Sequence, residues 1–153
     1  MSPSYLDAAG DLAQGTGKPR PRTDNPATAP HWAGASRSEL VFQVCSDCEY
    51  VRWPAAPECP QCLSDRSRWK PVSPQGVLWS FCTYETAIDP VWADEVPYVV
   101  AAVQLDAGPF LYGRLMAPPD EPIIGSRVEA VFQSVDEVTL VQFALSNDRE
   151  GLR

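Results

Sequence analysis

Four cysteines in two close pairs constrain the fold of this chain more than any other feature. Cys45 and Cys48 form one pair, and Cys59 and Cys62 form the other, in the pattern C-x2-C-x10-C-x2-C. Each pair has the spacing of a knuckle turn, so two pairs can complete a tetrahedral shell around one ion. We predict one structural zinc, because four thiolates leave no open position for water or substrate. Iron in a rubredoxin-like centre is the main alternative, and disulfides are a weaker one.

The residues around the cysteines predict a short helix and a pair of strands. The helix is expected from Pro30, with Trp32 as its anchor, although Gly34 and two serines weaken the pattern. The segment ELVFQVC alternates between two faces, and YVRWP is typical of a second short strand. Strands that end in cysteine knuckles indicate a zinc ribbon. We therefore assign residues 30–70 to the helix and the ribbon.

Beyond residue 70 the sequence predicts a small barrel, which makes the chain mostly β. Short apolar segments alternate with Gly, Pro and Asp turns, and no long helical pattern separates them. Five such strands between residues 71 and 146 fit an OB-fold best, and an SH3-like barrel is the alternative. We expect a hairpin at Ala107–Gly108, and a strand whose inward residues are Val128, Ala130 and Phe132. The five predicted strands are 76–86, 97–105, 109–116, 125–133 and 138–145.

The two ends of the chain have a different composition. Residues 1–29 are rich in Gly, Pro, Ser, Thr and Ala without apolar periodicity, which predicts a flexible arm or one that orders along a partner. Residues 147–153 are expected to form a short tail. The N-terminus lacks the pattern of a secretory signal, and no apolar run suits a membrane helix. We expect a cytoplasmic protein, in which thiols stay reduced.

The charge distribution argues against nucleic-acid binding. The formal net charge is −8, and residues 71–145 carry ten acidic and two basic residues, which accounts for all of it. Such a surface repels phosphate backbones, whose neutralisation supplies most nucleic-acid affinity. A nucleic-acid-binding module nevertheless remains the alternative, because zinc ribbons and OB-folds often bind nucleic acid. Its stacking platforms would be Trp79, Phe81, Tyr84 and Tyr112.

Residues for catalysis by this chain alone are few. Nucleotide-binding glycine loops and the G-x-S-x-G pattern are missing from the sequence. His31 is the single histidine, which we interpret as a surface or subunit-contact residue, and Cys82 is interpreted as a small buried residue. A stand-alone enzyme and an electron carrier are therefore weak alternatives.

One loop carries apolar residues among charges and prolines. Ile88, Val91 and Trp92 lie in the segment ETAIDPVWADEVPY, close to Asp89, Asp94 and Glu95, whose carboxylates we interpret as solvated. Exposed apolar residues in a loop suggest a docking surface, although the same residues can fold back onto the barrel. We take these three apolar residues, with Trp32, as candidate contacts of a partner.

Taken together, these segments resemble one known family. The aromatic segment PHWAGASRSELVFQVC, the ribbon CSDCEYVRWPAAPECPQC and the later segments GVLWSFCTY, VPYVVAAVQLDAGPFLYGRL and GSRVEAVF occur in its order. The family is acyl-CoA-associated, carries a rubredoxin-like zinc ribbon before an OB-fold, and has been called domain of unknown function thirty-five. The resemblance covers roughly residues 30–145 and includes all four ribbon cysteines.

The resemblance implies a partner role. Members of the family are accessory subunits or fused domains of thiolase-superfamily enzymes, including acyl-CoA thiolases and aldolases of steroid side-chain degradation. The expected role is to stabilise the enzyme and to help form its acyl-CoA channel, with catalytic groups in the partner. Two copies on a homodimeric partner imply a heterotetramer. Basic residues are the candidates for contacting coenzyme A at the partner interface: Arg114, Arg127, Arg52, Arg66, Arg68 and Lys70.

Overall fold

Two antiparallel sheets and one short helix form the part of the chain, residues 17–119 and 121–146, that this computed structural model describes. The mostly β architecture confirms the predicted fold class. The predicted tail and the first 16 residues of the predicted arm lie outside the described residues. The elements are α1 (Ala29–Ala35), β1 (Val41–Cys45), β2 (Val51–Arg52), β3 (Ser67–Pro71), β4 (Gln75–Tyr84), β5 (Tyr98–Leu105), β6 (Phe110–Arg114), β7 (Arg127–Val135) and β8 (Val138–Leu145).

The ribbon is a three-stranded sheet in the order β2-β1-β3. The predicted pair is formed by β1 and β2, which meet where Gln43 lies opposite Arg52. The sequence prediction missed β3, which pairs with β1 along its whole length, from Val41–Pro71 to Cys45–Ser67. The segment SRWKP has one apolar side chain among charges, so its strand character comes from pairing with β1 rather than from a hydrophobic pattern.

The barrel is a five-stranded sheet in the order β6-β5-β4-β7-β8. Its two edge strands meet, because a parallel bridge joins Leu115 to Phe143 and the backbone N–H of Met116 donates to the Phe143 carbonyl at 2.7 Å. Gly113 allows this approach, since a Cβ there would lie 3.0 Å from the Val141 carbonyl oxygen. This order and closure are those of an OB-fold, and they exclude the SH3-like alternative.

Two local features of the barrel follow from turn and strand chemistry. The predicted hairpin is confirmed: β5 and β6 pair antiparallel, and Gly108 has a φ of 117°, which suits glycine. In β4 the pairing with β5 shifts between Leu78 and Ser80, which marks a bulge at Trp79. The extra residue turns its side chain outward, and Trp79 is 60% exposed.

One hydrophobic core joins the ribbon to the barrel. Leu40 lies just before β1 and is 2% exposed, and Phe42 lies within β1 and is 0% exposed. Both pack in the same cluster as the barrel interior. The inward residues predicted on β7 are confirmed, because Val128 and Ala130 are buried and Phe132 packs against the cluster. The barrel members of the cluster are Leu78, Val99, Ala101, Val103, Leu105, Leu111, Leu115, Val128, Ala130 and Phe143.

The short helix packs against β1 and also contacts β8 of the barrel. Pro30 lies in its first turn, as expected for a residue without an N–H group. Gly34 is buried against Val41, and a Cβ at Gly34 would lie 2.8 Å from the Val41 Cβ. In the described segments, no helix has the length and apolar character needed to span a bilayer.

Candidate metal centre and functional surfaces

The four ribbon cysteines converge at the outer end of the three-stranded sheet. Their Sγ atoms all lie within 4.8 Å of one another. The Sγ atoms of Cys45 and Cys62 are 3.6 Å apart, as are those of Cys48 and Cys59. Tetrahedral zinc with bonds of about 2.3 Å needs sulfur–sulfur distances of about 3.8 Å, so this spacing suits the ion.

Both cysteine pairs adopt the same local turn. In each pair, the backbone N–H groups two and three residues beyond the first cysteine bond to its sulfur. The sulfur of the second cysteine bonds to the N–H two residues further on. Glu49 and Leu63, which follow the two pairs, both have a φ of 60°. Glycine often marks such left-handed positions, so here the cysteine spacing, and not a glycine, is what signals the turn.

The thiol pKa values diverge within the cluster. The backbone N–H groups of Cys48 and Asp47 lower the pKa of Cys45 to about 6. The backbone N–H of Tyr50 acts in the same direction on Cys48, but lost hydration and the neighbouring sulfurs outweigh it and raise that pKa to about 12. Like charges this close repel, so four thiolates need a cation to coexist. The donor set therefore fits a divalent metal.

Ion pairs connect the first cysteine turn to β3 and to the residue just before it. Arg66 bonds to the Asp47 carboxylate, which also accepts a bond from Ser64. Arg68 and Lys70 bond to Glu49. Three of the basic residues considered for coenzyme A therefore have carboxylate partners within the ribbon.

Arg52 differs from the other ribbon cations. Its side chain is 4% exposed, and its Nε donates to the Gln43 carboxamide oxygen at 2.6 Å. Its two terminal nitrogens have no hydrogen-bond partner among the described residues. This depth keeps Arg52 away from the protein surface, where the sequence analysis had considered it for coenzyme A.

His31 is buried, so its interpretation as a surface histidine was wrong. It is 2% exposed, and its ring lies 4.3 Å from that of Trp53 and 5.6 Å from that of Phe42. Its Nδ1 lies 3.2 Å from the Val41 carbonyl oxygen and donates to it. Burial lowers the pKa of His31, although the bond to Val41 opposes this. The packing of α1 on β1, which the sequence did not reveal, explains the burial.

Cys82 is exposed, so its interpretation as a buried residue was also wrong. It lies in the second half of β4, beyond the bulge. There β4 still pairs with β5, but it pairs with β7 only from Gln75 to Val77. Among the described strands, this half of β4 therefore has β5 alone beside it, and residues on both of its faces are exposed.

The loop between β4 and β5 divides its apolar residues between two environments. Ile88 is 87% exposed. Val91 and Trp92 belong to a short 3₁₀ turn and are half-buried. The Trp92 ring lies 5.3 Å from the Lys18 Nζ and 5.8 Å from the Arg114 guanidinium carbon. Only Ile88 projects fully into solvent.

The predicted arm contributes to these contacts where the structure describes it. Lys18 and Arg114 both form ion pairs with Glu95, so that carboxylate is not simply solvated as the sequence analysis assumed. Arg20 forms an ion pair with Asp136 at 2.9 Å. These bonds connect the segment before α1 to the barrel.

The aromatic residues considered as stacking platforms separate into two groups. Trp79 and Tyr112 are 60% and 71% exposed. Phe81 packs against the core, and Tyr84 stacks on Tyr98 with ring centroids 4.9 Å apart. They do not form one continuous row along a basic groove.

The profiles of two domain families match the chain in tandem. Residues 32–67 match the family described as ChsH2, rubredoxin-like zinc ribbon domain. Residues 69–133 match the family described as ChsH2, C-terminal OB-fold domain. The first match lies within the helix and ribbon and the second spans most of the barrel, although it ends before β8.

Curated relatives have two kinds of name. A DUF35 domain-containing scaffold protein of Methanothermobacter thermautotrophicus is 33% identical over 66% of this chain and 77% of its own length. A scaffold protein of the same description from Methanocaldococcus jannaschii is 27% identical over 64% of this chain and 70% of its own. A probable enoyl-CoA hydratase alpha subunit of Thermomonospora curvata is 34% identical over 82% of this chain. The match spans only 39% of that hydratase subunit.

Solved structures share the architecture. A chain of the Ltp2-ChsH2(DUF35) aldolase is 31% identical, with a TM-score of 0.73 over 82% of this chain and 98% of that one. A DUF35-family protein of unknown function from Sulfolobus solfataricus is 15% identical, with a TM-score of 0.56 over 80% and 87% of the two chains, and it supports the fold alone. The present chain therefore belongs to the DUF35 family, in which a rubredoxin-like zinc ribbon precedes an OB-fold domain.

Proposed function

We propose that this chain is a non-catalytic accessory subunit of a thiolase-superfamily acyl-CoA enzyme of the aldolase type. The likeness to a chain of the Ltp2-ChsH2(DUF35) aldolase carries this proposal, because it extends over 98% of that chain. Two relatives are described as scaffold proteins, which agrees with a supporting role. The catalytic groups then belong to the partner, and the accessory subunit stabilises it.

The side chains of this chain support that division of labour. His31 is the single histidine, and it is packed between aromatic rings with Nδ1 bonded to a backbone carbonyl. Such a residue is placed for packing rather than for proton transfer at a surface. An acyl-transfer or aldol reaction needs a base or nucleophile in reach of substrate, and the partner would supply it.

The metal in this proposal is structural zinc held by Cys45, Cys48, Cys59 and Cys62. The converging sulfurs and the match to a zinc-ribbon family support it. Zinc bound by four thiolates has no open coordination position, so it holds the ribbon in place. Metal analysis of protein made with both metals supplied tests zinc against iron: about one zinc per chain is expected. A red, iron-loaded protein would contradict the assignment.

The contact with the partner is assigned to the loop and helix residues Trp32, Ile88, Val91 and Trp92. Ile88 supports this best, since an isoleucine that is 87% exposed gains most by burial in an interface. Two copies on a homodimeric enzyme would form a heterotetramer. Acyl-CoA would then bind near the same interface, with Arg114 as the nearest candidate cation on the barrel.

Copurification tests the proposal. The tagged chain, expressed in its native cells, is expected to elute with a stoichiometric thiolase-type protein identified by mass spectrometry. The variant Ile88→Asp should reduce the recovered partner about tenfold, because it buries a charge in the contact. Ile123→Asp is the matched control, since Ile123 is 72% exposed in a different loop. Elution of the chain alone or with nucleic acid would overturn the proposal, and loss only in the control would move the interface.

An enoyl-CoA hydratase is a second candidate partner. The hydratase alpha subunit that is 34% identical to this chain favours it, and this chain matches 39% of that protein. Both candidates act on acyl-CoA, so the role as accessory domain would be the same. Recovery of a hydratase in place of a thiolase-type protein in the copurification would identify the hydratase as the partner.

A further inference from the structure

A cavity of about 670 Å³ lies where the two edge strands of the barrel, β6 and β8, face each other. We call it the seam groove; the segment before α1, the helix itself and the loop before β5 complete its walls. Its volume lies within the range of small-molecule sites, about 300 to 1,000 Å³. We propose that the seam groove binds a small organic anion with an apolar body, of the class of a medium-chain carboxylate.

The walls of the groove are aromatic and aliphatic. Trp32, Trp53 and Trp92 come from the helix, the ribbon and the loop before β5. Met116 and Leu140 complete the apolar lining from the barrel. Aromatic rings offer a large apolar area with few rotatable bonds, so an apolar ligand loses little entropy to side-chain ordering on binding. This lining fits a hydrocarbon or ring system rather than a sugar.

Cations lie at the rim of the groove. Lys18, Arg20 and Arg114 line it with a single carboxylate, Glu95, so the lining carries a formal charge of +2 in a chain of net charge −8. Their side chains are 23%, 30% and 27% exposed, which leaves them accessible but partly desolvated. A partly desolvated cation attracts an anion more strongly than a fully hydrated one does.

Carboxylates outside the groove balance part of this charge. The Asp94 Oδ1 lies 3.4 Å from the Lys18 Nζ, and the Asp136 Oδ2 lies 2.9 Å from the Arg20 Nη2. Both carboxylates are about three-quarters exposed, at 76% and 74%, and neither lines the groove. Water therefore screens them, whereas a carboxylate inside the groove would meet the cations on their sheltered side.

A buried amide in the lining has an unsatisfied acceptor. Gln142 is 6% exposed, and its Nε2 donates to the Gln133 carboxamide oxygen at 2.5 Å. Its own Oε1 has no hydrogen-bond partner among residues 17–119 and 121–146. Buried acceptors are nearly always satisfied. A carboxylate has no proton to donate, so only water accompanying the ligand would pair with this oxygen, after a small movement of the Gln142 side chain that exposes it to the groove.

Calorimetry with the isolated chain tests the proposal, using decanoate and decan-1-ol as probes below the concentrations at which they aggregate. The two differ only in the head group. We expect decanoate to bind at least about fivefold more tightly, the effect of one ion pair of about 1 kcal/mol at a partly exposed site. Equal affinities would overturn the anionic specificity. If neither probe gives a heat of binding or shifts the tryptophan fluorescence, the proposed site is overturned.

Two variants place the binding in the groove. Met116→Trp fills the cavity and should abolish decanoate binding, while Arg114→Gln should weaken it about fivefold and leave decan-1-ol unchanged. Arg127→Gln is the matched control, because Arg127 pairs with Asp106 away from the groove. Circular dichroism confirms that each variant is folded. If one of the two variants, Met116→Trp or Arg114→Gln, leaves decanoate binding unchanged, the assignment is contradicted.

This inference does not depend on the proposed function. The calorimetry uses the chain without any partner, whereas the copurification uses no added ligand. Failure of one experiment therefore leaves the other result standing.

Discussion

The outer ribbon and the barrel are held together by different forces. All of residues 45–67 are described, and the only buried apolar residues among them are the metal-ligand candidates Cys45 and Cys59. The barrel instead encloses Leu78, Val103 and Phe143, all at 0% exposure. Burial of apolar area stabilises the barrel, while a segment with so small a core depends on its metal. A chemical change that affects one region strongly should therefore affect the other weakly.

The inner ribbon does not follow this division. Phe42 on β1 is fully buried in the same cluster as the barrel residues. The inner end of the ribbon sheet is thus part of the barrel core, and its outer end carries the cysteines. A change at either end of this sheet therefore shows how far the two regions depend on each other.

Loss of one cysteine should give the largest effect. Cys59→Ser leaves an incomplete shell, and zinc-coupled folding of small domains is worth about 10 to 16 kcal/mol. We expect loss of bound zinc and unfolding of residues 45–67, measured by metal analysis and by amide hydrogen exchange. Cys82→Ser is the control, because this fifth cysteine is exposed and outside the cluster. Retention of stoichiometric zinc by Cys59→Ser would contradict the prediction.

Removal of the Phe42 ring should affect both regions at once. Phe42→Ala should lower the free energy of unfolding by about 3 to 5 kcal/mol, because it leaves a cavity where the ribbon meets the barrel. Phe110→Ala is the matched control, since Phe110 is 38% exposed and should cost about 1 kcal/mol. Urea unfolding measures both variants. Equal effects of the two would mean that the ribbon and the barrel do not share a core.

The close approach of α1 to β1 should make Gly34→Ala destabilising, although alanine is the better helix former. This effect should be smaller than that of removing the Phe42 ring. Alanine favours a helix over glycine by about 1 kcal/mol, but a Cβ at Gly34 would lie 2.8 Å from the Val41 Cβ. We expect Gly34→Ala to destabilise the protein by about 1 to 3 kcal/mol, since overpacking outweighs propensity. Gly17→Ala, where a Cβ meets nothing within 4 Å, should change thermal stability little. Stabilisation by Gly34→Ala would show that the helix is free to move.

The pH response of His31 should be the smallest effect. Burial lowers its pKa from the usual 6.5, so the unfolded chain binds its proton at a higher pH than the folded chain does. Stability is then fully present above about pH 6.5 and falls below it, by at most about 1.4 kcal/mol per pH unit.

The single histidine makes this pKa measurable by a ring-proton NMR titration, with His31→Gln as the control for assignment. A midpoint below 6.5 is expected. A midpoint above 6.5 would mean that the ring is accessible or paired with a carboxylate.

Local pattern was enough to predict the barrel strands but not all of the ribbon. The segment PYVVAAVQL alternates and is apolar, and it forms β5 (Tyr98–Leu105), within one residue of the expected start. The segment SRWKP, by contrast, forms β3 only because β1 offers a paired edge. Side-chain periodicity reports burial, so a strand that is made by backbone pairing alone has no such signal.

Long-range packing also explains two of the side chains whose environments were predicted wrongly. His31 is a polarisable residue in a helix that carries no clear apolar pattern, yet α1 brings it against Trp53 and Phe42. Cys82 follows Phe81 in a segment that predicts a strand, yet among the described strands its half of β4 has β5 alone beside it. Burial at such positions depends on what another segment covers, which no local window contains.

The cysteine pairs, the succession of the barrel strands and the acidic character of the barrel can all be read from the sequence. These depend on spacing, periodicity and composition, which are local properties. Only the tertiary structure decided that Phe42 joins the barrel core, that Lys18 reaches Glu95 and that three tryptophans line one groove. Those contacts join residues far apart in the chain, and they exist because the packing of α1, the ribbon and the barrel brings separate segments to the same place.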